Sequence, residues 1–84
     1  MTNEKKTADL AVKLDSILSD METMELQRAE LRDEIGERGK LPDLVKRMKA
    51  LRAKMRSAAL LRNELQAALG RRGVARVLRA RTGA

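Results

Sequence analysis

The chain has 84 residues and contains no Phe, Tyr, Trp, His or Cys. Without Cys it has no disulfide, and without Cys and His it lacks the usual zinc ligands and the base of a nucleophilic triad. Its 19 basic and 12 acidic residues give a formal net charge of +7. A chain this short, with no aromatic side chains, builds a thin core, so we expect self-association to contribute to its stability.

Charge is unevenly distributed along the chain. Residues 1–37 carry five basic and ten acidic side chains, whereas residues 38–84 carry fourteen basic and two acidic ones, giving net charges of −5 and +12. Such asymmetry is typical of proteins that bind a nucleic acid, a membrane surface or an acidic partner. Because no apolar run reaches the roughly 18 residues of a membrane span, and the first residues lack an apolar leader segment, we expect a cytoplasmic protein without membrane contact.

A heptad pattern follows a short polar stretch. Residues 1–6 are expected to be flexible, and Thr7 is the expected N-cap of the first helix. The apolar positions beyond it are spaced alternately four and three residues apart, which is the repeat of a left-handed coiled coil. We predict that a long first helix forms an oligomer interface along this seam, through Leu10, Leu14, Ile17, Met21, Met24, Arg28, Leu31 and Ile35.

Arg28 is the one charged residue in this seam. A polar residue at such a position lowers stability but can fix the register and the oligomeric state. Alternatively, its aliphatic stem lies on the seam while the guanidinium reaches Glu25 or an acid of a partner helix. The sequence leaves both interpretations open.

Two glycines and a proline mark the connection to a second helix. Gly36 and Gly39 are expected to end the first helix, and Pro42 suits the first position of the second. A connection this short favours an antiparallel pair, so we predict an all-α helical domain over residues 7–70. The second helix repeats the four-three spacing through Leu44, Met48, Leu51, Met55, Ala58, Arg62, Leu65 and Leu69.

The second half offers two places for an interruption. A break at Arg56–Ser57 is one alternative, and Gly70 is the expected C-cap of the second helix. Residues 71–84 contain five arginines and no acid. This basic arm is expected either to form a short amphipathic helical turn or to order only on a partner.

The dense basic side chains of the second helix and the arm are the main functional signal. Lys49, Arg52 and Arg56 follow an i, i+3, i+7 track, which lines one stripe of a helix at a spacing suited to phosphate contacts. With no Asn or Gln nearby and no aromatic residue, we predict binding to double-stranded DNA through its backbone and shape. The predicted DNA-binding residues are Lys46, Arg47, Lys49, Arg52, Lys54, Arg56, Arg71, Arg72, Arg76, Arg79 and Arg81.

Enzymatic signals are absent from the pattern. The chain has no Gly-rich phosphate loop of the Walker or dinucleotide-binding type. Its carboxylates are expected on a solvent-facing helix surface, and the pattern indicates no pocket for paired acid/base catalysis. We therefore expect a non-enzymatic protein with no cofactor, no metal and no small-molecule substrate.

The order of parts resembles the GapR family of nucleoid-associated proteins. The residues that carry the resemblance are METMELQRAELRDEI (21–35), the basic DLVKRMKALRAKM (43–55) and LQAALG (65–70). It implies a coiled-coil homodimer or tetramer in the nucleoid that surrounds A·T-rich, overtwisted DNA, with its channel lined by Lys46, Arg47, Lys49, Arg52 and Lys54. This chain differs from the family in its shorter connection, which lacks an aromatic residue, and in its additional arginine-rich arm.

Two other functions remain as alternatives. A small phage-type inhibitor that docks on a larger protein would use the same basic face. In addition, RAELRDEIGERGK (28–40) resembles the end of the first helix in all-helical chorismate mutases. That likeness implies a substrate-carboxylate ligand at Arg28, but Ala11 and Gly39 stand where the family has an arginine and a lysine.

Overall fold

Two long antiparallel helices form the fold. The computed structural model describes residues 2–83, with side chains from residue 5 onward. Helix α1 spans Thr2–Arg38 and helix α2 spans Pro42–Thr82, and the described part contains no strand. The chain measures 55 × 25 × 16 Å, which is an elongated hairpin. The prediction of an all-α antiparallel fold is confirmed, while the supercoil of a coiled coil stays a prediction.

The first helix starts earlier than the sequence pattern indicates. It begins at Thr2 and not at Thr7, so residues 2–6 belong to α1. Glu and Lys have high intrinsic helix propensity, which lets the helix continue beyond the seam without apolar contacts. Met1 and Ala84, the outermost residues of the expected flexible stretch and basic arm, lie outside the described residues.

Gly39 makes the sharp turn between the helices. Its φ of +83° is a left-handed conformation that favours glycine. Its N–H donates to the carbonyl of Ile35 at 2.8 Å, and its own carbonyl accepts from the N–H of Leu41 at 2.9 Å. Pro42 then occupies the start of α2, as predicted, and Asp43 lies in its first turn. The hairpin is therefore closed by local backbone bonds.

The core lies between the two seams of the same chain. Leu14 of α1 is 0% exposed, and the other seam residues of α1 are half-buried. From α2, the buried side chains come mainly from the predicted second seam. They are Leu44, Met48, Leu51, Ala58 and Leu65, joined by Val77 beyond the predicted helix end. The heptads of one helix thus pack on those of the other within one chain.

Gly70 interrupts α2 without ending it. The helix is continuous through Arg56–Ser57, so the break considered there does not occur. Gly70 instead has φ 74° and ψ 174°, a region that is almost restricted to glycine. The chain resumes a helical conformation after it and ends at Gly83, whose N–H bonds to the carbonyl of Arg79. We call residues 71–82 the terminal segment.

The terminal segment packs against α1. Val77 is buried in one cluster with Leu14 and Leu65, and each such fully buried aliphatic side chain contributes about 1.5–3 kcal/mol. Arg81 donates to Asp15 Oδ1 at 2.6 Å and to Ser19 Oγ at 3.0 Å. Of the two structures considered for the basic arm, the described part therefore adopts the helical one.

Candidate nucleic-acid interface

The two sides of the hairpin differ in charge because of helical geometry. Residues two positions apart on an α-helix point about 200° away from each other. Arg52 and Lys54 of α2 therefore lie on opposite sides of the buried seam, as do Arg28 and Glu30 of α1. Each helix contributes one set of side chains to each side of the hairpin.

One side carries only cations along its clefts, and we call it the basic flank. Two open clefts of about 700 and 350 Å³ adjoin there and share Lys49 and Arg52. Met48, Met55 and Ile35 form part of their apolar floor. The basic flank is defined by its six cations, Arg28, Arg32, Lys40, Lys49, Arg52 and Arg56.

Both helices and their connection supply this basic flank. Among the described residues, no carboxylate lines either cleft. Arg28 has one acidic neighbour, since its Nη2 donates to Glu25 Oε2 at 2.8 Å, one turn earlier on α1. Its Nε is buried and has no hydrogen-bond partner within the described part of the chain. The expected pair between Arg28 and Glu25 is thus present, whereas a role of Arg28 in fixing the register or the oligomeric state stays a prediction.

The opposite side combines both signs of charge, and we call it the mixed flank. Near the connection, a cleft of about 430 Å³ lies between Glu30 and Glu34 of α1 and Arg47 and Lys54 of α2. Lys54 also borders a second, apolar cleft of about 400 Å³. The mixed flank consists of these four charged residues and the apolar residues of the second cleft, Ile17, Met24, Ala53, Ala58 and Leu61.

The structure divides the predicted DNA-binding residues of α2 among three surfaces. All six of them are exposed. Lys49, Arg52 and Arg56 lie together on the basic flank, as their spacing predicts. Arg47 and Lys54 face acids on the mixed flank, and Lys46 lines neither pair of clefts. Half of the predicted set thus forms one continuous site.

The arginines of the terminal segment also fall into two groups. Arg71, Arg72, Arg76 and Arg79 are exposed. Arg81 is only 18% exposed and bonds to Asp15 and Glu22 of its own α1. Hydrogen bonds to Glu22 and to Asp15 raise the pKa of Arg81 above its usual value, so its charge is retained at any ordinary pH. Contact of Arg81 with DNA therefore requires these bonds to break.

The predicted oligomer-interface residues of α1 face α2. Leu14 is fully covered by Leu65, Val77 and their neighbours. The remaining seven are half-buried. All of them except Met21 border the clefts of the two flanks or pack on the Leu14 cluster. Arg28, assigned to this seam, lies at its edge on the basic flank. The seam is used inside the hairpin, so an interface with a second chain has to involve other surfaces as well.

Arg32 and Lys40 are basic-flank residues that the sequence analysis did not select. A signal was present, because Arg28, Glu30, Arg32 and Glu34 alternate in sign every two residues. On a helix this alternation places the two arginines on one side and the two glutamates on the other. Treating α1 as uniformly acidic concealed that pattern.

Comparison of the chain with protein-family models, curated proteins and solved structures gives no match. Within the part of the chain that the structure describes, no helix is long and apolar enough to cross a bilayer. The same residues contain no group of three or more His, Cys, Asp or Glu side chains placed to hold a metal ion. Functional inference therefore depends on the two flanks and on the terminal segment.

Proposed function

We propose that this chain binds double-stranded DNA through its basic flank, mainly by contacts to the phosphate backbone. The observation that carries the proposal is the convergence of six cations from α1, the connection and α2 on clefts that no described carboxylate lines. Like charges gathered on one surface repel each other, and a polyanion removes that repulsion. A nucleic-acid backbone supplies such a ligand.

The length of the basic flank suits a duplex. From the start of α2 at Pro42 to Arg56 the helix rises about 20 Å, which corresponds to about six base pairs of B-DNA. Lys49, Arg52 and Arg56 follow the α2 side, and Arg28 and Arg32 follow the α1 side. Two rows of cations with an apolar floor between them provide contacts to successive phosphates.

The chemistry of the flank favours backbone contacts over reading of bases. Of the described residues, no Asn or Gln lines either cleft of the basic flank, and these are the side chains that pair with adenine edges. The chain has no aromatic side chain for stacking on unpaired bases, which weighs against single-stranded RNA. Arginine inserted into a narrow minor groove would give a preference for A·T-rich DNA.

The exposed arginines of the terminal segment extend the proposed contact surface. Among the described side chains, no acid forms an ion pair with the four exposed arginines, Arg71, Arg72, Arg76 and Arg79. The resemblance to the GapR family points to the same ligand and to a place in the nucleoid. In this proposal the protein is a binding protein and not an enzyme.

The salt dependence of binding tests the proposal. If about six phosphates are neutralised, the affinity falls roughly a thousandfold between 50 and 200 mM salt. Fluorescence anisotropy with labelled random and A·T-rich duplexes of equal length measures this slope and the shape preference together. No binding at micromolar protein in low salt contradicts DNA binding and leaves an acidic protein surface as the ligand. A duplex that is bound without salt dependence contradicts the phosphate-backbone contacts.

A further inference from the structure

The isolated hairpin exposes more surface than a compact protein of its size. Its accessible area is 6807 Å², whereas a compact monomer of this mass exposes about 5,000 Å². The excess of about 1,800 Å² is more than the roughly 800 Å² that each partner buries in a standard protein–protein interface. The excess area is therefore large enough to be buried in one interface with another protein.

The mixed flank has the apolar part of such a contact. Ile17 and Met24 of α1 and Ala53, Ala58 and Leu61 of α2 line its second cleft. Leu61 is 45% exposed at the edge of this cleft, although it belongs to a largely apolar surface. Covering it would remove apolar area from water, at about 25 cal/mol per Å².

Charged side chains of opposite sign lie next to this apolar cleft without forming ion pairs among the described residues. Glu30 and Glu34 lie on α1, and Arg47 and Lys54 lie across the cleft on α2. Among the described side chains, none of these four makes an ion pair. Both acids of this cleft are on α1 and both bases are on α2, so a two-fold axis can place the acids of one copy against the bases of the other.

A two-fold axis parallel to the helices brings α1 of one copy over α2 of the other. This rotation leaves the position of each residue along the helix axis unchanged. Glu30 and Glu34 of each copy therefore lie opposite Arg47 and Lys54 of its partner. The interface is isologous, and both sets of pairs form at once. The four helices then form an antiparallel bundle.

The basic flank does not permit the same assembly. Docked on itself, it would bring six cations against six, and juxtaposed like charges cost several kcal/mol. We propose that a second copy of this chain docks on the mixed flank, and that the two basic flanks of the dimer face outward. This inference depends on surface, shape and charge, so it stands or falls independently of DNA binding.

Two adjacent leucines give a matched test. Leu61 lines the apolar cleft, whereas Leu60 is 66% exposed and lies outside it. Sedimentation equilibrium without DNA is expected to show a dimer for the unmodified chain and for Leu60→Glu. Leu61→Glu is expected to weaken dimerisation at least a hundredfold, with helicity retained in circular dichroism. A monomer at a hundred micromolar unmodified chain, or equal effects of both substitutions, overturns the proposal.

Charge exchange provides a second test that does not rely on Leu61. Chains with Glu30→Lys and Glu34→Lys, or with Arg47→Glu and Lys54→Glu, are each expected to be monomeric, because like charges then meet across the axis. Mixed together, the two variants restore opposite charges at both contacts and are expected to form a heterodimer in native mass spectrometry. Homodimers of either variant, or no heterodimer on mixing, contradict the interface.

Discussion

The basic flank and the mixed flank are made from the same two helices, yet they suit different partners. On α1, Arg28 and Arg32 alternate with Glu30 and Glu34, so each flank receives one sign of charge. On α2 both flanks receive cations, and the result is a cationic side and a balanced side. The cationic side can accept a polyanion, and the balanced side can accept a second copy. Because α2 supplies cations to both flanks, the side chains of α1 determine which flank is purely cationic and which has both signs of charge.

The largest loss of DNA affinity is expected when cations of α2 are removed from the basic flank only. Replacing Arg52 and Arg56 by Gln removes two contacts of about 1 kcal/mol each, so DNA affinity is expected to fall roughly thirtyfold. The slope of affinity against salt is expected to decrease by about two. Anisotropy titrations over a range of salt concentrations measure both quantities.

The matched control has the same net charge but leaves the basic flank intact. Replacing Lys13 and Lys46 by Gln also removes two exposed cations, but neither lines a cleft of either flank, and the expected loss of affinity is less than threefold. If both double variants lose affinity equally, the flank has no special role and only the net charge matters.

A smaller effect is expected from the contribution of α1 to the basic flank. Arg28→Gln removes one cation, with an expected fivefold loss of DNA affinity and a decrease of about one in the salt slope. Circular dichroism is expected to be unchanged, because Arg28 is 41% exposed and its one side-chain bond among the described residues is to Glu25. Unaltered DNA binding would limit the site to α2.

The smallest effect has the opposite sign. Glu25→Gln removes the carboxylate that pairs with Arg28, an exposed ion pair worth less than about 1 kcal/mol. The freed guanidinium can then bind phosphate, and the DNA affinity is expected to rise about twofold in the same titration. A decrease would mean that Glu25 holds Arg28 in its binding position.

The fold was largely accessible from the sequence. The four-three spacing identified both seams, and Pro42 located the start of α2 because its missing N–H and fixed φ suit that position. The sequence predicts that α2 ends at Gly70, whereas the helix bends there and continues to Thr82. A glycine can both cap and bend a helix, and only the tertiary contacts of Val77 with Leu14 distinguish the two outcomes.

The sequence predicts only half of the candidate site. The track through Lys49, Arg52 and Arg56 follows from helical spacing on one helix. The addition of Arg28 and Lys40 depends on how the two helices are rotated about their axes and where the connection leaves the hairpin. Such long-range geometry is set by packing between distant residues, which no local pattern contains.

The bend at Gly70 has a consequence for the order of folding. Leu14 and Val77 are in one cluster, although 63 positions separate them in the chain, whereas residues next to the Gly39 turn meet their partners across a short loop. Contacts with small separations form first, because closing a short loop loses less chain entropy. The contacts between α1 and α2 are therefore expected to form first near the Gly39 turn and then towards Leu14, and the terminal segment is expected to pack on α1 last. During synthesis, Leu14 is therefore expected to stay partly exposed, covered by Leu65 but not by Val77, until the terminal segment has left the ribosome.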